Sequence, residues 1–279
     1  MMKTLGVSRV RQQRLRSKLM ATVAVAVVVL FVRDGDAESP VRTTAEQLLQ
    51  KYQNALVHVE ATVQVKMELV EGPPEIGEAV AAQPPREQST STDGVIVDAA
   101  GIIAVPLAGI DPTRLTQEGI NLGPAKIALK GSITSVKVID GDGSELEARV
   151  ALEDAQRGIV LLKLSDSPDE PMTFVAVAAD QQAPQPFAQM LMLERLSVRL
   201  GNDPIVSLCR FVQQLPGPVR LYDMSGTVNG VGFVVFDVEE KFQGMGVIPL
   251  RKGAAGDVPL MLLPPHELAP LIEKVKSSE

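Results

Sequence analysis

Side chains able to do metal, thiol or imidazole chemistry are few in this chain. Its 279 residues hold one cysteine, Cys209, and two histidines, His58 and His266. One thiol forms no intrachain disulfide and no multi-thiolate zinc site, and two imidazoles leave little scope for imidazole catalysis. His58 falls on the polar side of an alternating stretch and reads as a solvated strand residue, whereas His266 opens a helical pattern. Cys209, between Leu208 and Arg210, reads as a buried small apolar side chain. Its basic neighbour points to the opposite face of the strand, so nothing would lower the thiol's pKa. Asp140-Gly-Asp-Gly-Ser-Glu145 gathers acids, but it lacks the D-x-[DN]-x-[DN]-G spacing and the distant bidentate Glu of a calcium loop, and it reads as a hairpin turn. Glu239, Glu240 and Lys241 read as a solvated turn. The residues imply no cofactor and no metal.

Charge narrows the partners. The formal net charge is -7, the sequence pI is about 5.1, and only 3% of residues are aromatic. A nucleic-acid binder needs a basic surface for phosphates and often aromatic faces for stacking, so nucleic acid is excluded as a partner. Lys3, Arg9, Arg11, Arg14, Arg16 and Lys18 precede the fourteen-residue apolar run Leu19 to Val32, the layout of an export signal. That run gives roughly 21 Å of helix, short of the ~30 Å hydrocarbon core, which favours a cleaved signal over a permanent anchor. Gly35 and Ala37 place the cut after Ala37. The expected location is therefore the periplasm or cell envelope, with membrane contact only through residues 19–32 if they stay uncleaved. Without residues 1–37 the chain keeps 20 basic against 32 acidic residues, or -12.

The elements that would position any site are mostly strands. Thr43 to Gln53, with Thr44 as N-cap, reads as a short helix. Val57, Val59, Ala61, Val63, Val65, Met67 and Leu69 then alternate with polar residues, placing seven apolar side chains on one face of a long strand. Glu71 to Thr92, with Pro73-Pro74 and Pro84-Pro85 and no apolar period, reads as a mobile surface loop. Gly94 to Asp98 and Gly101 to Val105 form a hairpin pattern, followed by strands at 135–139, 146–151 and 158–164. After the polar break Ser165 to Pro171 a second set is expected at 173–177, 189–199, 205–213, 232–237 and 243–250, and Pro264 to Lys276 carries helical spacing. Two groups of short strands imply two β-domains.

Several segments, in order, resemble the trypsin-like protease domain of the HtrA/Deg family of exported serine proteases. Ser91 to Ile110 (STDGVIVDAAGIIAVPLAGI) is similar to that family's G-S-G-F-I-I-D-x-x-G-Y-I-L-T-N-x-H-V-V. Asp98 and Gly101 match, and the catalytic histidine falls on Ala108. Val136 to Lys163 resembles the strand, Asp-Gly turn, strand and D-x-x-x-D-L-A-V-L-K, with Asp154 at the first Asp and the catalytic aspartate on Gly158. Gly230 to Gly246 (GVGFVVFDVEEKFQGMG) resembles N-S-G-G-P-L-V-D-x-x-G-x-V-I-G, which puts the nucleophile on Val231. An alternative register sets Ser225-Gly226 against the family's serine. Over about residues 45 to 275 the resemblance implies an all-β, trypsin-like double β-barrel with a short N-terminal helix and a C-terminal helix, and without a PDZ domain. The organisation it implies is 1–37 signal peptide or anchor, 38–165 first barrel, and 166–279 second barrel with the closing helix.

With Ala108, Gly158 and Val231 at the triad positions, the resemblance implies a protease homologue without a triad, whose function is to bind an extended peptide or a partner protein. The alternative is an active serine hydrolase using Ser225, whose hydroxyl would need an imidazole within hydrogen-bond reach, itself oriented by a carboxylate.

Overall fold

The computed structural model describes residues 40–116, 118–196, 200–249 and 259–278. The expected export segment and the cut after Ala37 lie outside the described residues. Strands β1 (Leu56–Glu71), β2 (Arg86–Asp98), β3 (Ile102–Pro106), β4 (Ile120–Leu122), β5 (Ala125–Ile139), β6 (Glu145–Asp154) and β7 (Ile159–Leu164) form one antiparallel sheet in the order β1-β2-β3-β7-β6-β5-β4. Pairing of β1 with β5 closes six of them into a barrel. A second closed barrel has the order β10-β13-β12-β11-β8-β9, built from β8 (Gln189–Arg195), β9 (Pro204–Leu215), β10 (Leu221–Ser225), β11 (Val234–Asp237), β12 (Phe242–Val247) and β13 (Met261–Leu263). The fold is an all-β double barrel, with helix α1 (Pro40–Tyr52) before it and helix α4 (Pro265–Lys276) after it.

Three hydrophobic cores result, and the strand period sorts residues among them. Val57, Val59 and Ala61 of β1 point into the first barrel, while the polar residues between them stay outside. β3 and β7 are apolar on both faces because both faces are covered. Ile103, Val105, Val160 and Leu162 fill the first barrel. Ile102, Ala104, Ile159 and Leu161 face a seam core shared with Leu191, Leu193, Val234 and Phe236 of the second barrel and with Leu268 and Ile272 of α4. The second barrel's own interior holds Met190, Met192, Cys209, Phe211, Tyr222 and Phe233. Each fully buried aliphatic side chain in such a core stabilises by roughly 1.5–3 kcal/mol relative to exposure.

The helices cross between barrels. Helix α1 buries Ala45, Leu48 and Leu49 in the seam core, and its Tyr52 stacks on Phe236 with ring centroids 5.0 Å apart. Lys51 Nζ donates to Glu240 Oε2 at 3.1 Å in the β11–β12 turn. Thus α1 packs on the second barrel, although it precedes the first in sequence. Helix α4 is tied to the turn before β7 by Arg157, which donates to Glu267 and Asp154 at 2.7–2.9 Å.

Several expectations are corrected. Glu71 to Thr92 is no loop: Pro74–Ala81 forms helix α2, begun by Pro74, whose missing N–H costs nothing there. α2 packs on β1 with Val80 buried and Gly77 against Leu69. From Arg86 the polar residues already pair with β1 as strand β2. Thr44 is not an N-cap: the helix starts at Pro40, and the Thr44 hydroxyl donates back to the Pro40 carbonyl at 3.0 Å. Thr173 to Val177 forms no strand, since Val175 alone reaches the sheet through its N–H to the Ile96 carbonyl at 2.9 Å.

Candidate functional site

Strand β3 ends at Pro106 and turns into the single helical turn α3 (Leu107–Ile110). Ala108 is buried there. The Leu107 N–H donates to the Gly158 carbonyl at 2.8 Å, which brings the first two triad-register positions side by side at the adjoining ends of β3 and β7. Gly158 has φ +68, a conformation that favours glycine, and a Cβ there would overlap the Ile248 carbonyl oxygen. An aspartate has no room at that position.

Val231 is half-buried in the turn before β11. Its neighbour Gly232 (φ +91) lies so close to the Asp93 carbonyl of β2 that a Cβ would overlap it. On the adjacent residue of β2, Thr92 packs against Gly109 of α3 with its hydroxyl buried and unpaired. Ala108 and Val231 are each followed by a glycine that packs against Thr92 or Asp93, and at Gly158 the Ile248 carbonyl leaves no room for a side chain.

A polar cluster that sequence reasoning missed lies beside it. His58 of β1 and Asp93 of β2 are directly opposed in the ladder, and Nδ1 lies 3.2 Å from Oδ1. The side chains are only 14% and 22% exposed, so His58 is a paired, largely enclosed residue and not a solvated one. Glu194 of β8, 4% exposed, accepts from the Asn229 backbone N–H at 3.0 Å and from Asn229 Nδ2 at 2.9 Å. Burial pushes its carboxyl above the usual range and nearby Asp93 adds to this, while the Asn229 bonds oppose it. Arg195 Nη2 donates to the Leu56 carbonyl at 2.9 Å, linking β8 to β1, and burial lowers its pKa. The sequence signal for this cluster was a pair of charged residues ending the otherwise apolar Met-Leu-Met-Leu-Glu-Arg run.

An imidazole held by a carboxylate is two-thirds of a nucleophilic relay, and the missing third is a hydroxyl on the ring's other nitrogen. Among the described residues no serine or threonine hydroxyl is bonded to His58. Ser225 stands elsewhere. It ends β10, exposed, opposite Arg210 in the ladder, beside a cavity of about 200 Å³ lined by Gln189, Leu208, Cys209 and Gly226. Burial pushes the Cys209 thiol up to about 12, so it stays protonated near neutrality. His266 packs against Tyr222, with ring centroids 6.2 Å apart, and burial lowers its pKa.

Asp140 and Asp142 close the β5–β6 hairpin by accepting backbone N–H bonds from Asp142 and Ser144. Among the described residues no group of three or more His, Cys, Asp or Glu side chains is arranged to hold a metal ion. No protein-family model matches the chain, and no curated protein matches it in sequence.

Proposed function

We propose that the protein is an exported, non-proteolytic double-barrel module of HtrA/Deg-like descent that binds an extended peptide or a partner protein. The observation that carries this reading is the separation of the parts a serine hydrolase needs. Ser225 borders a cavity whose lining has no histidine, while His58 is held by Asp93 and His266 lies against Tyr222. A serine hydroxyl without a base at hydrogen-bond distance is a poor nucleophile. The export signal of residues 3–37 and the acidic remainder support a location in the periplasm or cell envelope.

Labelling of the folded full chain by a fluorophosphonate probe tests this directly, with Ser225→Ala as control. The expected result is no labelling. Labelling that disappears in Ser225→Ala would sink the binding-module reading and place a hydrolase site at Ser225.

A further inference from the structure

Of the asparagines in the chain, Asn54, Asn121, Asn202 and Asn229, only Asn229 is followed by glycine. In an Asn-X pair the backbone nitrogen of X can attack the side-chain carbonyl carbon of the asparagine. Glycine, having no Cβ, leaves that approach unhindered and the chain free to adopt the required angles. The local structure meets these conditions. Asn229 and Gly230 are exposed in the irregular segment between β10 and β11. A Cβ added at Gly230 would meet nothing within 4 Å, and among the described residues no hydrogen bond holds the Gly230 N–H. The attacking nitrogen is therefore neither covered nor committed to a backbone ladder.

What Asn229 holds sets it apart from an ordinary loop residue. Its backbone N–H and its Nδ2 both donate to the carboxylate of Glu194 on β8, at 3.0 and 2.9 Å. Further along, Gly232 lies against the Asp93 carbonyl of β2. The segment from Asn229 to Gly232 is thus fastened to the seam at two points, and the first depends on the side chain at 229 being an amide. A carboxylate there has no N–H to donate. It would set a second negative charge against Glu194, which is 4% exposed and already feels Asp93, while the imidazole of His58 is engaged by Asp93. Two carboxylates sharing one enclosed site repel each other.

We infer that Asn229–Gly230 is a site of non-enzymatic deamidation, and that the reaction unfastens the β10–β11 segment from Glu194. Water is the only co-reactant. The Gly230 nitrogen gives its proton to a solvent base and bonds to Asn229 Cγ, the Cγ–Nδ2 bond breaks, and ammonia leaves a cyclic imide. Water then adds to one or other imide carbonyl, giving aspartate or an isoaspartate whose backbone runs through the former side chain. Glu194 restrains the first step, because Cγ must turn toward the Gly230 nitrogen while Nδ2 is bonded to the carboxylate. The product carries one more negative charge at the seam, whether or not the module binds a peptide.

The test is incubation of the folded full chain at mildly alkaline pH, with peptide mapping by mass spectrometry to separate Asn, Asp and isoAsp at position 229. Both acidic products are expected to accumulate, and the urea-unfolded chain should form them about threefold faster or more, since the Glu194 bonds are then gone. Gly230→Ala, which has open space and no positive φ, should slow the reaction about tenfold. An intact Asn229 in the folded chain would overturn the site, an undiminished rate in Gly230→Ala would overturn the route, and equal folded and unfolded rates would overturn the restraint by Glu194. Urea unfolding at the same pH tests the unfastening. Asn229→Asp should lower the midpoint more than Asn229→Ala does, and adding Glu194→Gln should recover most of the loss by moving the amide to the other partner. Equal midpoints for Asn229→Asp and Asn229→Ala, or no recovery with Glu194→Gln, would reject the tie to Glu194 as what deamidation breaks.

Discussion

The seam around Thr92–Asp93 and the open groove of about 890 Å³ between residues 178–189 and the β11–β12 hairpin treat space in opposite ways. At the seam, Ala108 is buried, and Gly158 and Gly232 lie so close to carbonyl oxygens of other segments that neither tolerates a side chain. The imidazole and carboxylates there bond to one another or to the seam's own backbone and amides. At the groove, volume stays open. The comparison teaches that Gly158 cannot take a larger side chain unless the Ile248 backbone moves.

Refilling the seam should do the most damage. In Gly158→Asp the new side chain meets the Ile248 carbonyl from a left-handed backbone. We expect destabilisation above roughly 4 kcal/mol by urea unfolding, with no protease activity gained. A stably folded Gly158→Asp protein would mean that the seam has more room than its backbone contacts imply.

A smaller effect separates the seam by pH. Glu194 binds its proton more tightly in the native state than its ordinary value of 4.5, chiefly because it is buried. Its contribution to stability is therefore fullest below about pH 4.5 and is lost as pH rises through the elevated native value. Glu194→Gln should flatten that part of the decline in urea midpoint as pH rises above about 4.5. An unchanged slope in the variant would show that Glu194 does not titrate in this window.

The smallest effect belongs to the groove. Gln181→Leu removes a buried donor that has no partner, so stability should rise, by about 1 kcal/mol. A loss of stability above about 1 kcal/mol by thermal or urea unfolding would make Gln181 a structural residue like those of the seam.

Much of the architecture was legible because the strand period is a local property. The alternation from Val57 to Leu69 and the double-faced apolar runs at Ile102–Val105 and Ile159–Leu164 gave strands in the right order. Strands without an apolar pattern escaped. The polar half of β2 from Arg86 to Ser91 and the short β4, exposed throughout, exist because a neighbouring ladder supplies their hydrogen bonds. Propensity carries little information about such pairing. Thr173 to Val177 failed in the other direction, having a strand's alternation but no partner edge.

The candidate site was less legible than the fold. His58 stood out as one of two histidines, but its carboxylate Asp93 is 35 residues away along the chain and meets it only through the β1–β2 ladder. Gln181 and Gln243 gave no signal at all, since glutamine in a polar stretch is ordinary, and only the burial of one amide end sets them apart.

By itself, the sequence determined the number and period of most strands, the closing helix, the acidic balance and the scarcity of thiol and imidazole, because each of these follows from residue types and local spacing. The tertiary structure alone decided that α1 packs on the second barrel, that Gly158 and Gly232 have no space for a side chain, that His58 is paired, and that two glutamine atoms are left without partners. Those facts depend on which distant segments come within a few ångströms of one another, and barrel closure fixes that where no local pattern can.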